Sequence, residues 1–494
     1  MIARLLIPVA AFSAVGFAAA PRAQQQPTPC NLVATPTTRL SSDSTPAGRV
    51  TFIGGGVLFR CPDRGITLRG DSAEQYPDHD YIVGHAIYDE PRFHVTSDFL
   101  NYFPSQEIVK AVANVVARSQ NGSTLRGPYA EYRRPLKGVR PHEQMYAVQR
   151  PTIDIVQKDT AKKDVNDTTV VVANQVFMDG DSLIYAGGQV VITRPEIVAT
   201  ADSSFIDQPH DVMHLMRNPI LKGTKAKPFT LTGDLIDLYS TNHKLNRVMS
   251  RANAVAVNDS MTLKSDTIDL RVVNNLLDHA YAWGAKSRAR VISPSQNVLA
   301  DSLDVSMPGQ KLRLVRAVRK AFADARPDTT KFQIVKPDTT DWLKGDTIVA
   351  HFDTVPPKDT TKSPPIRLLV STGGAASYYH MASSDSGERR PSINYVTAHR
   401  ITITFDSQKV ATVAAEDSVV GTYVEAKQDS AARKAKTTPA APGKPGAKST
   451  AAQAVKPGTS TAPPKTPPKT PPPTTTAPST PPAKPPASFS PKQP

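Results

Sequence analysis

Ser97-Asp98-Phe99-Leu100-Asn101-Tyr102 decides how this chain is read: a small residue, an aspartate, then an alternating run with apolar side chains two and four places beyond the aspartate. The phrase returns as Gly180-Asp181-Ser182-Leu183-Ile184-Tyr185 and as Gly233-Asp234-Leu235-Ile236-Asp237-Leu238. Further copies are Ser265-Asp266-Thr267-Ile268-Asp269-Leu270, Ala300-Asp301-Ser302-Leu303-Asp304-Val305 and Gly345-Asp346-Thr347-Ile348-Val349-Ala350, and weaker ones begin at Asp71 and Asp202. Successive aspartates lie 27 residues apart (71 to 98), 21 (181 to 202), 32 (202 to 234, and 234 to 266) and 35 (266 to 301). A phrase recurring at this length predicts a stacked, quasi-one-dimensional architecture in which each unit contacts only its neighbours.

Between the phrases runs a second strand-like segment, usually around a small residue or Asn: Ala111-Val112-Ala113-Asn114-Val115, Gly188-Gln189-Val190-Val191-Ile192, Ala252-Asn253-Ala254-Val255 and Ala282-Trp283-Gly284-Ala285. Period-two alternation and β-branched residues mark half-buried strands, and Asn121-Gly122, Asn218-Pro219 and Asn274-Asn275 punctuate the joins. The expectation is an all-β repeat with almost no helix. The aspartates are expected at strand entries, accepting hydrogen bonds from local backbone N–H groups.

The ends read differently. Residues 1–23 carry Arg4 and then an apolar run from Leu5 to Ala20, the pattern of a secretory signal peptide. Residues 24–49 form an N-terminal extension. The β-repeat region covers 50–156 and continues over 170–425, with a polar insert at 157–169. Residues 426–494 are a Pro/Ala/Thr/Lys-rich tail expected to be disordered. From Lys427 onward stand ten Lys and one Arg against one Asp, so +10 of the formal +15 lies in the tail. The basic balance therefore does not describe the body, and nucleic acid is excluded as a partner.

Motifs of catalysis are absent: no His-Glu-x-x-His, Gly-x-Ser-x-Gly, P-loop or Cys-x-x-Cys. The chain is expected to be no enzyme, with no cofactor and no metal. His79, between Asp78 and Asp80, reads as a solvated turn residue rather than a ligand. Cys30 and Cys61 flank the first strand region, and in an oxidising compartment they form one disulfide pinning the extension to the first strands. Two unpaired thiols are the alternative.

The aspartate phrase followed by an Asn-Val or Gly-x-Val strand (Ala113-Asn114-Val115, Gly188-Gln189-Val190), in series behind a signal segment, resembles the OstA/LptA-like domain of lipopolysaccharide transport. Residues 71–132 are most similar, with Gly70-Asp71-Ser72, Ser97-Asp98-Phe99 and Asn121-Gly122-Ser123 as their marks, and the resemblance extends with interruptions over 50–425. The polar inserts and the basic tail depart from the family pattern.

The resemblance implies a β-jellyroll of stacked V-shaped rungs with an open apolar groove holding acyl chains, in a periplasmic protein associated with the outer membrane. The groove would be lined by Leu100, Tyr102, Leu183, Tyr185, Ile236, Leu238, Ile268, Leu270, Leu303, Val305 and Ile348. It implies lipopolysaccharide or a similar multi-acyl lipid as cargo and other lipopolysaccharide-transport proteins as partners through edge-strand pairing. The basic tail would contact peptidoglycan or a membrane surface, or serve as a spacer. An exported structural or adhesive β-solenoid stalk with a filled core is the alternative.

Overall fold

The computed structural model describes residues 30–426, apart from residue 47 and the segments 159–165, 225–227, 259–260, 294–295, 328–332, 334–339, 355–363, 384–389 and 407–408. The expected signal segment and the proline-rich tail lie outside the described residues. The described residues all belong to one compact unit, residues 1–429. The described residues are all-β: they form one sheet of 32 strands, with 3₁₀ turns at Pro62–Arg64 and Pro308–Gln310 as the described helical pieces.

Each strand, or pair of collinear short strands, pairs antiparallel with the next along the chain. The strand Asp80–Glu90 shows the geometry. It is extended to Val83, turns at Gly84 and His85 with φ of 75° and 45°, and resumes at Ala86. Against Phe93–Phe103 the register jumps from Val83↔Phe99 to Ala86↔Ser97, so Gly84 and His85 together oppose Asp98. This is a β-bulge, which bends the strand and lets its two halves become separate arms. The same two-residue left-handed turn recurs in alternate strands, at Ala113/Asn114, Gly188/Gln189, Arg217/Asn218, Ala252/Asn253, Arg319/Lys320 and Gly373/Gly374.

Left-handed backbone is costly for residues bearing a Cβ, and here the phrase aspartates brace it. The Asp71 N–H donates to both Val83 O and Gly84 O (3.2 and 2.9 Å), and Asp234 N–H donates to Arg251 O and Ala252 O (3.2 and 3.0 Å). Their carboxylates take the side chain of the turn: His85 Nδ1 on Asp71 at 2.8 Å, Asn114 Nδ2 on Asp98 at 2.8 Å, Asn218 on Asp202 at 3.3 Å and Asn253 on Asp234 at 3.2 Å. Asp266 accepts the backbone N–H groups of Lys286 and Ser287 (2.7 and 3.0 Å), which hold its carboxyl below the usual carboxylate range. Phrase strand and turn strand alternate, so the repeat is two antiparallel strands long. That is why 32 residues separate Asp202, Asp234 and Asp266.

The small residue ahead of the aspartate occupies the inside of the bend, where the arms converge. A Cβ on Gly70 would lie 2.3 Å from Ile82 Cγ2, on Gly233 2.2 Å from Ser250 Oγ, and on Gly345 2.3 Å from Ser371 Oγ. These three corners call for Gly, while Ser97, Ser265 and Ala300 stand at the same position in other copies of the phrase.

Two expectations are corrected. Asp98, Asp202, Asp266 and Asp346 stand in mid-strand, opposite or beside a bend, whereas Asp71, Asp234 and Asp301 do stand at a strand entry, in the short gap between two collinear strands. Asp181 is no member of the series: it lies in the turn before Leu183–Thr193 and faces Arg92. The bend in that part of the sheet belongs to Asn174, whose N–H donates to Gly188 O at 2.8 Å. Across the insert the sheet is continuous, because Thr152–Lys158 and Asn166–Val172 pair along their whole length. Nor is the N-terminal extension separate from the sheet. Arg39–Thr45 pairs with Gly48–Gly54, Asn31–Leu32 pairs with Val57–Cys61, and Cys30 is disulfide-bonded to Cys61.

Candidate functional site between the two arms

Because side chains alternate across a strand, each bent strand sends one set inward from both arms, and the inward sets merge into one apolar cluster running from Cys30 to Ile403. The arms touch across it. Tyr88 on one arm packs against Tyr102 and Tyr132 on the other, with ring centroids 6.3 and 6.1 Å apart, and Phe93 stacks on Tyr132 at 4.5 Å. Leu100, Tyr102, Ile236, Leu238, Ile268, Leu270, Leu303, Val305 and Ile348 all lie in this interior, none more than 6% exposed. At roughly 1.5–3 kcal/mol for each fully buried large apolar side chain, this row is a principal stabiliser of the stack.

Leu183 and Tyr185 do not belong to it. Tyr185 is 43% exposed on the outer face, stacked on Phe205 at 4.7 Å and near Phe177 at 6.1 Å, and the inward positions of that strand are Ile184 and Ala186. The cause is the misplaced phrase: counting from Asp181, which is not at a bend, shifts the parity by one and turns every side chain to the other face.

The free edges of the arms meet at a mouth closed by arginines. In the first part of the array Arg134, at the tip of one arm, reaches Glu90 on the other at 2.8 Å, Glu107 at 2.7 Å and Arg64 O at 3.2 Å. Arg64 answers from the opposite tip, on Glu107 at 3.1 Å and on the Tyr102 hydroxyl at 2.7 Å. The hydroxyls of Tyr88 and Tyr132 both donate to Glu90 (2.9 and 2.6 Å). Burial raises the Tyr88 and Tyr132 pKa values and pushes Tyr102 up to about 12, so all three stay protonated. Further along, Arg194 bonds the Ser240 hydroxyl (3.3 Å) and His243 O (2.7 Å) on the facing arm, with Glu196 at 3.0 Å beside it. Between these two clasps a third and more exposed arginine, Arg92, contacts Glu143 (2.8 Å) and Asp181 (3.0 Å).

Under Arg92 the packing is incomplete. A cavity of about 160 Å³ opens there, lined by Phe93, Leu125, Met145, Ile155, Met178 and Ile184, with Ser119, Asn121 and Gln208 at its rim. A smaller cavity of about 20 Å³ lies beside Arg194, lined by Ile155, Ile206, Met213 and Leu238.

The clasp residues are not legible in the sequence. Arg64, Glu90, Glu107 and Arg134 are scattered over 71 positions (64 to 134) and look like ordinary strand-end charges. Aromatic neighbours such as Tyr88 and Tyr132 are the one available hint. His79 lies between Tyr76 (4.5 Å) and Phe103 (5.0 Å) with Asp78 on its Nδ1. Among the described residues no group of three or more His, Cys, Asp or Glu side chains is placed to hold a metal ion.

No family model matches this chain, and no curated protein matches it. Among solved structures it is similar to LptH of Pseudomonas aeruginosa, described as the LptA-homologous periplasmic component of the lipopolysaccharide transport device. The identity is 15% and the TM-score 0.22, over 27% of this chain and 97% of that one.

Proposed function

We propose that this protein is an exported, periplasmic lipid-binding bridge that carries lipopolysaccharide or a similar multi-acyl lipid towards the outer membrane between its two arms, without chemistry. The observation that carries this reading is the continuous apolar interior between the arms, to which strand after strand contributes. Acyl chains passing from one set of inward side chains to the next stay out of water, and each methylene left exposed would cost about 0.8 kcal/mol. The sheet leaves edge strands at both ends, such as Arg39–Thr45, through which other transport proteins would join by strand addition. The basic tail would contact peptidoglycan or anionic lipid heads.

A second reading, an exported structural stalk, is favoured by one observation: the interior is mostly filled and its mouth is clasped. Native mass spectrometry of the full chain, purified from its exported compartment and followed by lipid extraction, separates the two. A co-purifying multi-acyl lipid that is lost in Ile236→Asp and Ile268→Asp variants with wild-type circular dichroism supports the conduit. A folded wild-type protein that carries no lipid, and acquires none from lipopolysaccharide micelles, supports the stalk.

A further inference from the structure

We propose that the cavity beneath Arg92 is a binding site for one uncharged pyranose ring, presented as a free sugar or as the end of a glycan chain. The proposal is independent of the lipid-binding reading, because no acyl chain takes part in it.

Size sets the first limit. A cavity of about 150 Å³ holds one benzene ring, so about 160 Å³ admits a single six-membered ring and leaves any second unit of a chain outside. Polar and apolar groups share the lining, and they are sorted by depth. Leu125 and Met145 are buried and Phe93 and Met178 half-buried, whereas Arg92, Gln120, Asn121 and Asp181 collect at the exposed rim. A hydrocarbon ring of that size would strip the rim groups of water without replacing their partners. A pyranose has both characters: a face of C–H groups for the floor and an edge of hydroxyls, each a donor and an acceptor, for the rim.

The rim supplies both halves of hydroxyl recognition, and from both arms. The side-chain N–H groups of Gln120 and Asn121 on one arm and of Gln208 on the other have no hydrogen-bond partner among the described residues. Their backbones are fixed: Gln120 N–H donates to Arg92 O at 3.0 Å and Gln208 N–H to Ser182 O at 2.9 Å. The Asn121 side chain is oriented by its Oδ1, which accepts from the Ser119 hydroxyl and from the Ser123 N–H. Glu143 and Asp181 are the acceptors. Each meets Arg92, at 2.8 and 3.0 Å, yet a carboxylate offers about four lone-pair sites, so acceptor capacity remains on both. The guanidinium holds the pair in a fixed relation. Two carboxylates against one guanidinium leave one negative charge, which turns away phosphorylated and acidic sugars.

The test uses the full-length protein with methyl-labelled methionine, the signals being assigned through Met145→Leu and Met178→Leu. The probes are the methyl glycosides of glucose, galactose, mannose and N-acetylglucosamine, a phosphorylated counterpart of each, and benzene. At least one neutral glycoside should shift the Met145 and Met178 methyl signals saturably, with a millimolar dissociation constant as suits a single small ring, and leave Met249 unmoved. Asp181→Asn and Gln208→Ala should each weaken binding about threefold or more. Both variants are expected to keep wild-type circular dichroism, because neither residue belongs to the buried interior. A tetrasaccharide that ends in the preferred sugar and binds as tightly identifies the ligand as a glycan end, and one that fails to bind identifies it as a free sugar; either supports the site. If no glycoside moves the two methyls, or benzene moves them and no sugar does, the site is overturned. A phosphorylated glycoside that binds as tightly as the neutral one overturns the charge argument, and variants with wild-type affinity overturn the rim assigned here.

Discussion

Replacing Arg134 by Met tests whether the clasp holds the arms together or merely decorates them. Methionine keeps much of the aliphatic length and removes the guanidinium, which is bonded to Glu90, Glu107 and Arg64 O at 2.8, 2.7 and 3.2 Å. The Arg134 side chain is 20% exposed, and its partners Glu90 and Glu107 are 6% and 12% exposed, so solvent screens this network little. Removing one partner from a buried ion pair costs about 3–5 kcal/mol, because a charge is left behind without its counter-charge. Here each carboxylate retains help, Glu90 from the Tyr88 and Tyr132 hydroxyls and Glu107 from Arg64. The expected loss is therefore at the low end, about 3 kcal/mol.

Stability in a stacked repeat is a sum over neighbours, so this loss should appear locally and not as a shifted global transition. Hydrogen exchange of the strands between residues 80 and 133 is the suitable assay. At 1.4 kcal/mol per factor of ten, 3 kcal/mol predicts about a hundredfold faster exchange there, with strands beyond residue 260 unchanged. Arg92→Met, made at the exposed clasp, should cost less than about 1 kcal/mol. If Arg134→Met changes exchange by less than about threefold, apolar packing alone joins the arms and the clasp argument fails.

The same geometry sets three further outcomes. Ile184→Ala should destabilise by about 2–4 kcal/mol through lost burial and a residual cavity, whereas Tyr185→Ala, on the outer face, should cost less than about 1 kcal/mol. Equal effects in denaturant titrations would contradict the register. Gly233→Ala drives a Cβ to 2.2 Å from Ser250 Oγ, itself bonded to Thr232 O at 2.8 Å, and should cost about 1–3 kcal/mol by overpacking. Gly54→Ala, with nothing within 4 Å of the new Cβ, is the control, and thermal melts compare the pair. His85 has its pKa raised, mainly by the hydrogen bond to Asp71 and then by that carboxylate's charge. A raised folded pKa means that this contact's contribution is full below the unfolded value of about 6.5 and is lost as pH rises through the folded value. In an NMR titration Asp71→Asn should move the His85 midpoint down towards about 6.5, and an unmoved midpoint would remove Asp71 from the bend.

The all-β class, the repeat and most of the interior row are legible from alternation alone. Burial of one face imposes a period of two on the sequence, and Leu100, Tyr102, Ile236, Leu238, Ile268, Leu270, Leu303, Val305 and Ile348 all follow it. The small-residue-Asp phrase is equally visible, but its role is not. An aspartate at a strand entry and one bracing a bulge in the neighbouring strand look alike until the register is known. Hence Asp181 reads as a member of the series, Asn174 carries no mark of its role, and Leu183 and Tyr185 fall on the wrong face. The clasps are decided by tertiary structure alone. Periodicity is a local property, stamped on the chain by the face each residue presents, whereas Arg134 meets Glu90 only because two arms, each bent at its own bulge, bring strand tips 44 residues apart in sequence within hydrogen-bonding distance.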